Sequence, residues 1–309
     1  MLTFSPSKKV DHAGMKKIIM GQHHCKRGFS LIELSIVLVG IALIVGGVLV
    51  GQDMIRAAEV RAAIVQIEKY QVAINTFRSK YNALPGDMSA WTADTFGFAA
   101  RGACRGQRPC LGEGDGNGIV EGIRRNAAES QCGICESAGE TAMFWVDLST
   151  ASATNDRLVD GAFNAATASS VPDFIPLNAV GLYLPHSDLR HGNYVYVYSY
   201  NHFNYFGLSA VGSISPGGSL NASPAMTVYQ AYIIDKKVDD GYPLGGSVIA
   251  QYAGPKSVNL AGAADGTAAT PASDLTCYDN KNSPGAPQMY SVEINDGTSV
   301  TCALSFRFQ

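Results

Sequence analysis

From Phe29 to Gly51 the chain runs FSLIELSIVLVGIALIVGGVLVG, 23 residues with no basic side chain and a single acid, Glu33. A helix rises about 1.5 Å per residue, and the hydrocarbon core of a bilayer takes about 20 apolar residues. This segment is therefore long enough to cross a membrane as a helix. Before it lie Lys8, Lys9, Lys16, Lys17, Lys26 and Arg27 against the lone acid Asp11. Basic residues flanking a span stay on the cytoplasmic side, which places the residues after Gly51 across the membrane. The leading 28 residues carry +5 of a formal charge of −3, which leaves −8 on the rest. An acidic body argues against nucleic acid as a partner.

A secretory signal or a plain anchor is the simpler reading of such a segment, and two features oppose it. A signal peptide has an apolar region of about 7–15 residues ending at a small-residue cleavage site, whereas this run is longer and continues into a charged helical pattern. A carboxylate inside a bilayer costs about 2–3 kcal/mol or more unless it is paired or protonated, so Glu33 needs a partner.

The string Lys26-Arg27-Gly28-Phe29-Ser30-Leu31-Ile32-Glu33 resembles the type IV prepilin signal, in which basic residues and a Gly precede Phe-[Ser/Thr]-Leu-[Ile/Val]-Glu at the head of an apolar helix. The resemblance implies that a prepilin peptidase cuts between Gly28 and Phe29 and methylates the new amine of Phe29. The chain is then a substrate of that enzyme and not an enzyme itself. Cleavage leaves an ammonium on Phe29 that is as costly in lipid as Glu33. A helical stack of subunits can set one subunit's ammonium beside a neighbour's Glu33, so that each charge compensates the other. Further partners implied are other pilin or pseudopilin subunits and an inner-membrane assembly platform.

Beyond Gly51 the chain turns charged, with no Pro until Pro85. Ile64, Ile67, Tyr70, Ile74, Phe77 and Tyr81 are spaced 3, 3, 4, 3 and 4 apart, which is one face of a helix. A single helix from Phe29 to Tyr81 is expected, roughly 80 Å long. Gly40, Gly46, Gly47 and Gly51 permit close helix packing within it. Tyr81-Asn82-Ala83-Leu84-Pro85-Gly86-Asp87 ends it with a turn and resembles a string found in a subset of prepilin-like proteins. The organisation expected is a leader over 1–28, a membrane half-helix over 29–51 and an amphipathic half-helix over 52–81. A Gly/Ala/Ser-rich elaboration with short helices, notably Glu140 to Leu148, then covers 82–180, and a β-rich head covers 181–309. Strands are expected at Asn193–Tyr200, with its alternating tyrosines on one face, at Met226–Ile234, Ser247–Tyr252, Met289–Ile294 and Ser299–Phe308. The fold class is α+β, pilin-like: a long N-terminal helix packed on a C-terminal antiparallel sheet. Asp235, Asp239 and Asp240 are expected in a solvated turn between two strands.

Of seven cysteines, Cys25 is lost with the leader. The remaining even number, outside the cytoplasm, suggests disulfides, with the sequence-adjacent pairs Cys104–Cys110, Cys132–Cys135 and Cys277–Cys302 expected. The rival is a four-thiolate zinc site from Cys104, Cys110, Cys132 and Cys135, which the wide first spacing and an oxidising compartment disfavour. Glu113, Asp115, Asn117 and Glu121 stand at positions 1, 3, 5 and 9 of an EF-hand-like loop, with Gly118 at 6. Arg124 takes the place of the final bidentate Glu, so the pattern offers a calcium candidate against a plain Gly-rich turn. His186, His191 and His202, with Ser187 and Asp188 nearby, match no catalytic string and read as surface or turn residues.

These features together predict the structural subunit of a type IV pilus-like filament. It sits in the bacterial inner membrane with its N-terminus cytoplasmic and its head periplasmic, and passes from there into the filament. The bulk of the head favours a minor pilin. The alternatives are a type II secretion pseudopilin that drives protein export, and a membrane-anchored binding protein that does not polymerise, against which an unpaired Glu33 speaks. No cofactor is required.

Overall fold

Helix α1 (Leu31–Tyr81) is 51 residues long and dominates the N-terminal part of the computed structural model. The structure describes residues 28, 30–98, 114, 116–122, 139–151, 175–189, 192–215, 218–254, 258–261 and 271–309. The chain divides into two units, Met1–Gln52 and Asp53–Gln309. In the first unit α1 holds Leu31, Ile32, Leu34, Ile36 and the other large apolar residues up to Val50 outward, each more than half exposed. It is the one helix among the described residues long and apolar enough to cross a membrane, and none of its apolar window is buried within the chain. A helix apolar on all sides suits lipid as its surroundings.

In the second unit α1 becomes amphipathic. It buries Val60, Ala63, Gln66, Ile67, Tyr70, Ala73, Ile74, Phe77 and Tyr81, a stripe that contains most of the expected face, with Ile64 at its margin. The Tyr70 ring meets Trp145 edge-on at 4.9 Å and Phe206 at 5.9 Å. Gln66 is the one polar member of the stripe, and its amide is fully used. Nε2 donates to the His186 carbonyl at 2.8 Å and to the Tyr70 hydroxyl at 3.2 Å, and Oε1 accepts from the Asp188 N–H at 3.0 Å. The helix stops where Asn82 turns left-handed (φ 52°) ahead of Pro85, a common termination.

Two further helices follow within the expected elaboration. α2 (Ala90–Phe96) is capped by Ser89, whose hydroxyl accepts from the Thr92 N–H, and is closed by left-handed Gly97. α3 (Glu140–Ala151) is buried along nearly its whole circumference, and Phe144 and Trp145 set it at the centre of the core. The remaining elements are β1 (Ile175–Pro176), α4 (Leu177–Val180), β2 (Asn193–Tyr200), β3 (Phe203–Ile214), β4 (Leu220–Ser223), β5 (Met226–Thr227), α5 (Val228–Val238), β6 (Val248–Ile249), β7 (Gln251–Ala253), β8 (Val258–Leu260), β9 (Tyr278–Asp279), β10 (Met289–Tyr290), β11 (Val300–Cys302) and β12 (Leu304–Arg307).

The main sheet has six strands, all antiparallel, and is organised on β3. β2 lies along one side of β3, from Asn193 opposite Ala210 to Tyr200 opposite Phe203. β12 pairs with β3 from Leu304 opposite Leu208 to Arg307 opposite Tyr205, and carries β6 on its outer side. β4 and β1 pair with the far end of β3. Asn201 and His202, both at positive φ (50° and 65°), make the two-residue turn whose twist suits a hairpin. Gly207 lies opposite Tyr196, and a Cβ there would fall 2.2 Å from the Tyr196 ring. The ring therefore covers the glycine, and its hydroxyl reaches Ser209 at 3.0 Å and the Ala253 N–H at 3.1 Å. Tyr198 is placed likewise, with its hydroxyl 2.7 Å from Ser305 Oγ and 2.9 Å from Gln251 Nε2.

Five expectations need correction. Met226–Ile234 is not a strand, because α5 begins at Val228. Thr227 and Gln230 form a reciprocal capping box there, and Val228, Ala231, Ile234 and Asp235 face inward at helical spacing. Ser247–Tyr252 and Ser299–Phe308 are each broken into two short strands, at Ala250 and Ala303, and the strand expected over Met289–Ile294 ends at Tyr290. Asp235 is buried within the last turns of α5, not solvated, and Asp239 and Asp240 follow that helix, so the three acids do not form a turn between two strands. The longest strand, β3, has no counterpart among the sequence expectations.

Candidate functional site

The processing motif occupies the start of α1. Gly28 and Ser30 lie outside the helix, whereas Phe29 is outside the described residues. Ser30 acts as N-cap: its hydroxyl accepts from the Glu33 N–H at 3.3 Å, and its own N–H donates to Glu33 Oε2 at 2.9 Å. The pair is a capping box, in which a Ser and the acid three positions on satisfy each other's free backbone donors. It gives Glu33 a local role that sequence reading missed, although the Ser-x-x-Glu signature was visible. Gly28 does not take a positive φ, and a Cβ built on it meets nothing within 4 Å. Gly40, Gly46, Gly47 and Gly51 are likewise clear of any neighbour within 4 Å.

Of the calcium candidates, Glu113 and Asp115 are outside the described residues. Asn117 turns its Oδ1 to the Ile119 N–H at 2.7 Å, as in an Asx turn, and the Glu121 N–H donates to Glu140 Oε2 at 2.9 Å. The loop is held by a group the sequence did not single out. Asp87, 1% exposed, accepts from the Gly116 N–H at 2.6 Å through one oxygen and from the Gly118 N–H at 2.7 Å through the other. Asn204 continues the anchoring, donating to the Gly118 carbonyl at 2.9 Å and accepting from the Val120 N–H at 2.9 Å. Asp147 Oδ2 holds the preceding turn through the Gly86 N–H at 2.7 Å. Here Gly86 is required, since a Cβ would lie 2.3 Å from the Glu140 carbonyl oxygen. A carboxylate with two backbone donors is well compensated for its burial.

A second acidic group forms where α5 ends. Asp235, Asp239 and Asp240 each offer an oxygen within 4.8 Å of the others, the one such set of three among the described residues. Asp235 is fully buried and accepts from the Tyr290 hydroxyl at 2.7 Å and the Gly241 N–H at 3.2 Å. Burial pushes its carboxyl up to about 7, with the charges of Asp240 and Asp239 adding to the rise and its two hydrogen bonds opposing it. Burial and the neighbouring Asp235 hold the Tyr290 hydroxyl well above its ordinary value. Asp239 accepts from the Ser247 N–H and, at 3.2 Å, from the Val248 N–H. Asp240 accepts from the Tyr242 N–H at 2.8 Å. The three acids thus organise the loop over 239–248, and Asp235 ties α5 to β10.

Cys277 and Cys302 form a disulfide with a Cα–Cα distance of 5.0 Å across 25 residues, joining the start of the β9–β10 hairpin to β11. Cys104, Cys110, Cys132 and Cys135 are outside the described residues, as is His191. The His186 ring packs on Tyr194 at 4.5 Å, and the Ser187 hydroxyl accepts from the Leu189 N–H at 3.0 Å. His202 sits in the β2–β3 turn. Comparison of the chain with family models, with curated proteins and with solved structures gives no match.

Proposed function

We propose that this chain is a prepilin-like structural subunit, cut after Gly28 by a prepilin peptidase, N-methylated at Phe29 and assembled through its N-terminal helix into a type IV pilus-like filament. The observation that carries the reading is the basic-Gly-Phe-Ser-Leu-Ile-Glu string standing at the head of a helix of two characters. One part of α1 exposes apolar side chains on every side, and the other buries a stripe in a head of antiparallel strands. Four helical glycines in the apolar part have no neighbour within 4 Å among the described residues. Each costs roughly 0.5–1 kcal/mol relative to Ala in a helix, a cost that close packing of helices in lipid offsets.

In this reading the chain performs no chemistry. It is a membrane-anchored precursor with its head outside the cytoplasm, and its partners are the peptidase, like subunits and an assembly platform in the membrane. The size of the head suits a minor subunit. Filaments sheared from cells and the residual envelope supply the test, each analysed by intact mass. The filament reading expects a species beginning at methylated Phe29 in the sheared fraction, and strongly reduced filament yield with normal cleavage in Glu33→Gln. Processed protein confined to the envelope would favour a pseudopilin of type II secretion. Uncut protein beginning at Met1, or normal filament yield in Glu33→Gln, would overturn the reading.

A further inference from the structure

We infer that Asn117–Gly118 is a latent self-modification site, at which the Gly118 nitrogen closes on the Asn117 side chain unless the buried Asp87 carboxylate holds it back. In this step the Gly118 nitrogen gives up its proton to solvent base, and its electron pair attacks Asn117 Cγ. The Cγ–Nδ2 bond breaks, ammonia leaves and a succinimide ring remains. Water then opens the ring at either carbonyl, giving aspartate or the backbone-lengthened isoaspartate. The net change is water in and ammonia out, with no oxidant or reductant.

The fold retains a reactive dipeptide for its own reasons. Asn117–Gly118 is the sole Asn-Gly step in the sequence, and a glycine puts no side chain in the way of its own nitrogen. Gly118 stands at φ 86°, in the left-handed region that residues with a Cβ enter at a cost. Asn117 closes the Asx turn onto the Ile119 N–H. It is also exposed, so base and water reach it and ammonia can leave. The bond from Ile119 draws charge away from Cγ, which by itself favours attack.

The restraint acts on the nucleophile. The Gly118 N–H donates to Asp87 Oδ2 at 2.7 Å. Attack requires negative charge to build on that nitrogen, and a buried carboxylate at hydrogen-bond distance opposes it. The other Asp87 oxygen is engaged by the Gly116 N–H at 2.6 Å, which fixes the carboxylate in place. The Gly118 carbonyl accepts from Asn204 Nδ2 at 2.9 Å and Gln309 Nε2 at 3.1 Å. Gly118 is thus held at both ends and does not swing toward Asn117. Loss of the proton precedes attack, so restraint at nitrogen outweighs polarisation at Cγ. Asp87 lies 31 residues from Gly118, so the restraint exists only in the folded chain. Modification therefore marks chains in which this loop has been open. Isoaspartate adds a methylene to the backbone and displaces the Gly118 N–H from Asp87, so a marked chain does not regain the latch.

The experiment uses the full chain in detergent at mildly alkaline pH. It follows modification at Asn117 by peptide mapping, with isoaspartate counted by an isoaspartyl methyltransferase. In the folded protein the site is expected to react at least about tenfold more slowly than in denaturant, the weight of one charge-assisted hydrogen bond. Asp87→Asn keeps the shape and removes the charge; it should lose most of that protection while the β2 amides stay protected from hydrogen exchange. A second measurement needs no variant. In the unaltered protein at rising subdenaturing denaturant, the modification rate should climb in step with hydrogen exchange at Gly118, because both await release from Asp87. Refolded isoaspartate chains should keep fast exchange at Gly116 and Gly118. Equal rates in folded and denatured protein would overturn the inference, as would a modification rate indifferent to Gly118 exchange. Folded Asp87→Asn that reacts as slowly as the unaltered protein, or isoaspartate chains that recover native exchange at these amides, would overturn it too.

Discussion

Asp235→Asn should make the head more stable at pH 8 and remove most of its loss of stability between pH 4 and pH 8. The carboxyl ordinarily titrates near 3.8 and is pushed up to about 7 in the folded chain, chiefly by burial. Between those two values the folded protein holds a proton that the unfolded chain has released, so stability falls as pH rises through this window and levels off above the folded value. The gap corresponds to about 4 kcal/mol at about 1.4 kcal/mol per pH unit. Asparagine abolishes the titration. It still accepts from Tyr290 or Gly241 through Oδ1, but its amide nitrogen cannot accept from the other, a loss of about 1 kcal/mol. The variant is therefore expected to be about 1 kcal/mol less stable than the unaltered protein at about pH 3, and about 3 kcal/mol more stable at pH 8. The two profiles should cross at about pH 4.5. Denaturant unfolding of the detergent-solubilised protein, followed by fluorescence of buried Trp145, would measure both. Ionisable groups away from this cluster contribute equally to the two proteins, so the difference reports Asp235 together with its coupling to Asp239, Asp240 and Tyr290. Parallel profiles, or an unaltered protein that gains stability from pH 4 to pH 7 relative to the variant, would refute the reasoning.

Two further perturbations probe the head. Asp87→Ala leaves the Gly116 and Gly118 N–H groups without their buried acceptor and should destabilise by about 2–4 kcal/mol. Hydrogen exchange at those two amides should rise far more than at β2, and uniform exchange would count against a local anchor. Cys302→Ser opens the 25-residue loop closed by the disulfide and should cost about 3–4 kcal/mol by loop entropy. An unchanged unfolding midpoint under non-reducing conditions would show that the unfolded chain is already restrained there.

What could be read from the sequence divides along physical lines. The stripe on α1 was legible because one periodicity of apolar residues continues for many turns, and β2 was legible because its tyrosines and valines alternate between turn signals. α5 was misread because Tyr232, Ile233 and Ile234 suit a strand by composition, although Thr227 and Gln230 at capping-box spacing pointed to a helix start. β3 was passed over because Gly207, Ser209, Ala210 and Gly212 dilute its pattern. Gly207 is there for Tyr196 on the neighbouring strand, information that no local window contains. The same is true of Asp87, whose donors lie about thirty residues away; as part of Leu-Pro-Gly-Asp it reads only as a turn. Ser30 and Glu33 were recognisable as a motif, and their mutual hydrogen bonds add a reason intrinsic to the chain for that spacing.

Gln66 has a mechanical consequence. A helix held only by interlocking apolar side chains resists separation from its support well, yet it can slide lengthwise at modest cost, because one methyl-lined notch resembles the next. Gln66 breaks that equivalence by engaging the backbone at both 186 and 188. A shift of α1 by one residue presents Val65 or Ile67 to those polar groups, and a shift by a full turn presents Ala62 or Tyr70; none of these can supply the paired donor and acceptor. The amide works as a detent, setting the axial position of the amphipathic part of α1 against the segment over 186–188. If tension is applied along α1, slippage past this point must break the two hydrogen bonds to 186 and 188 together.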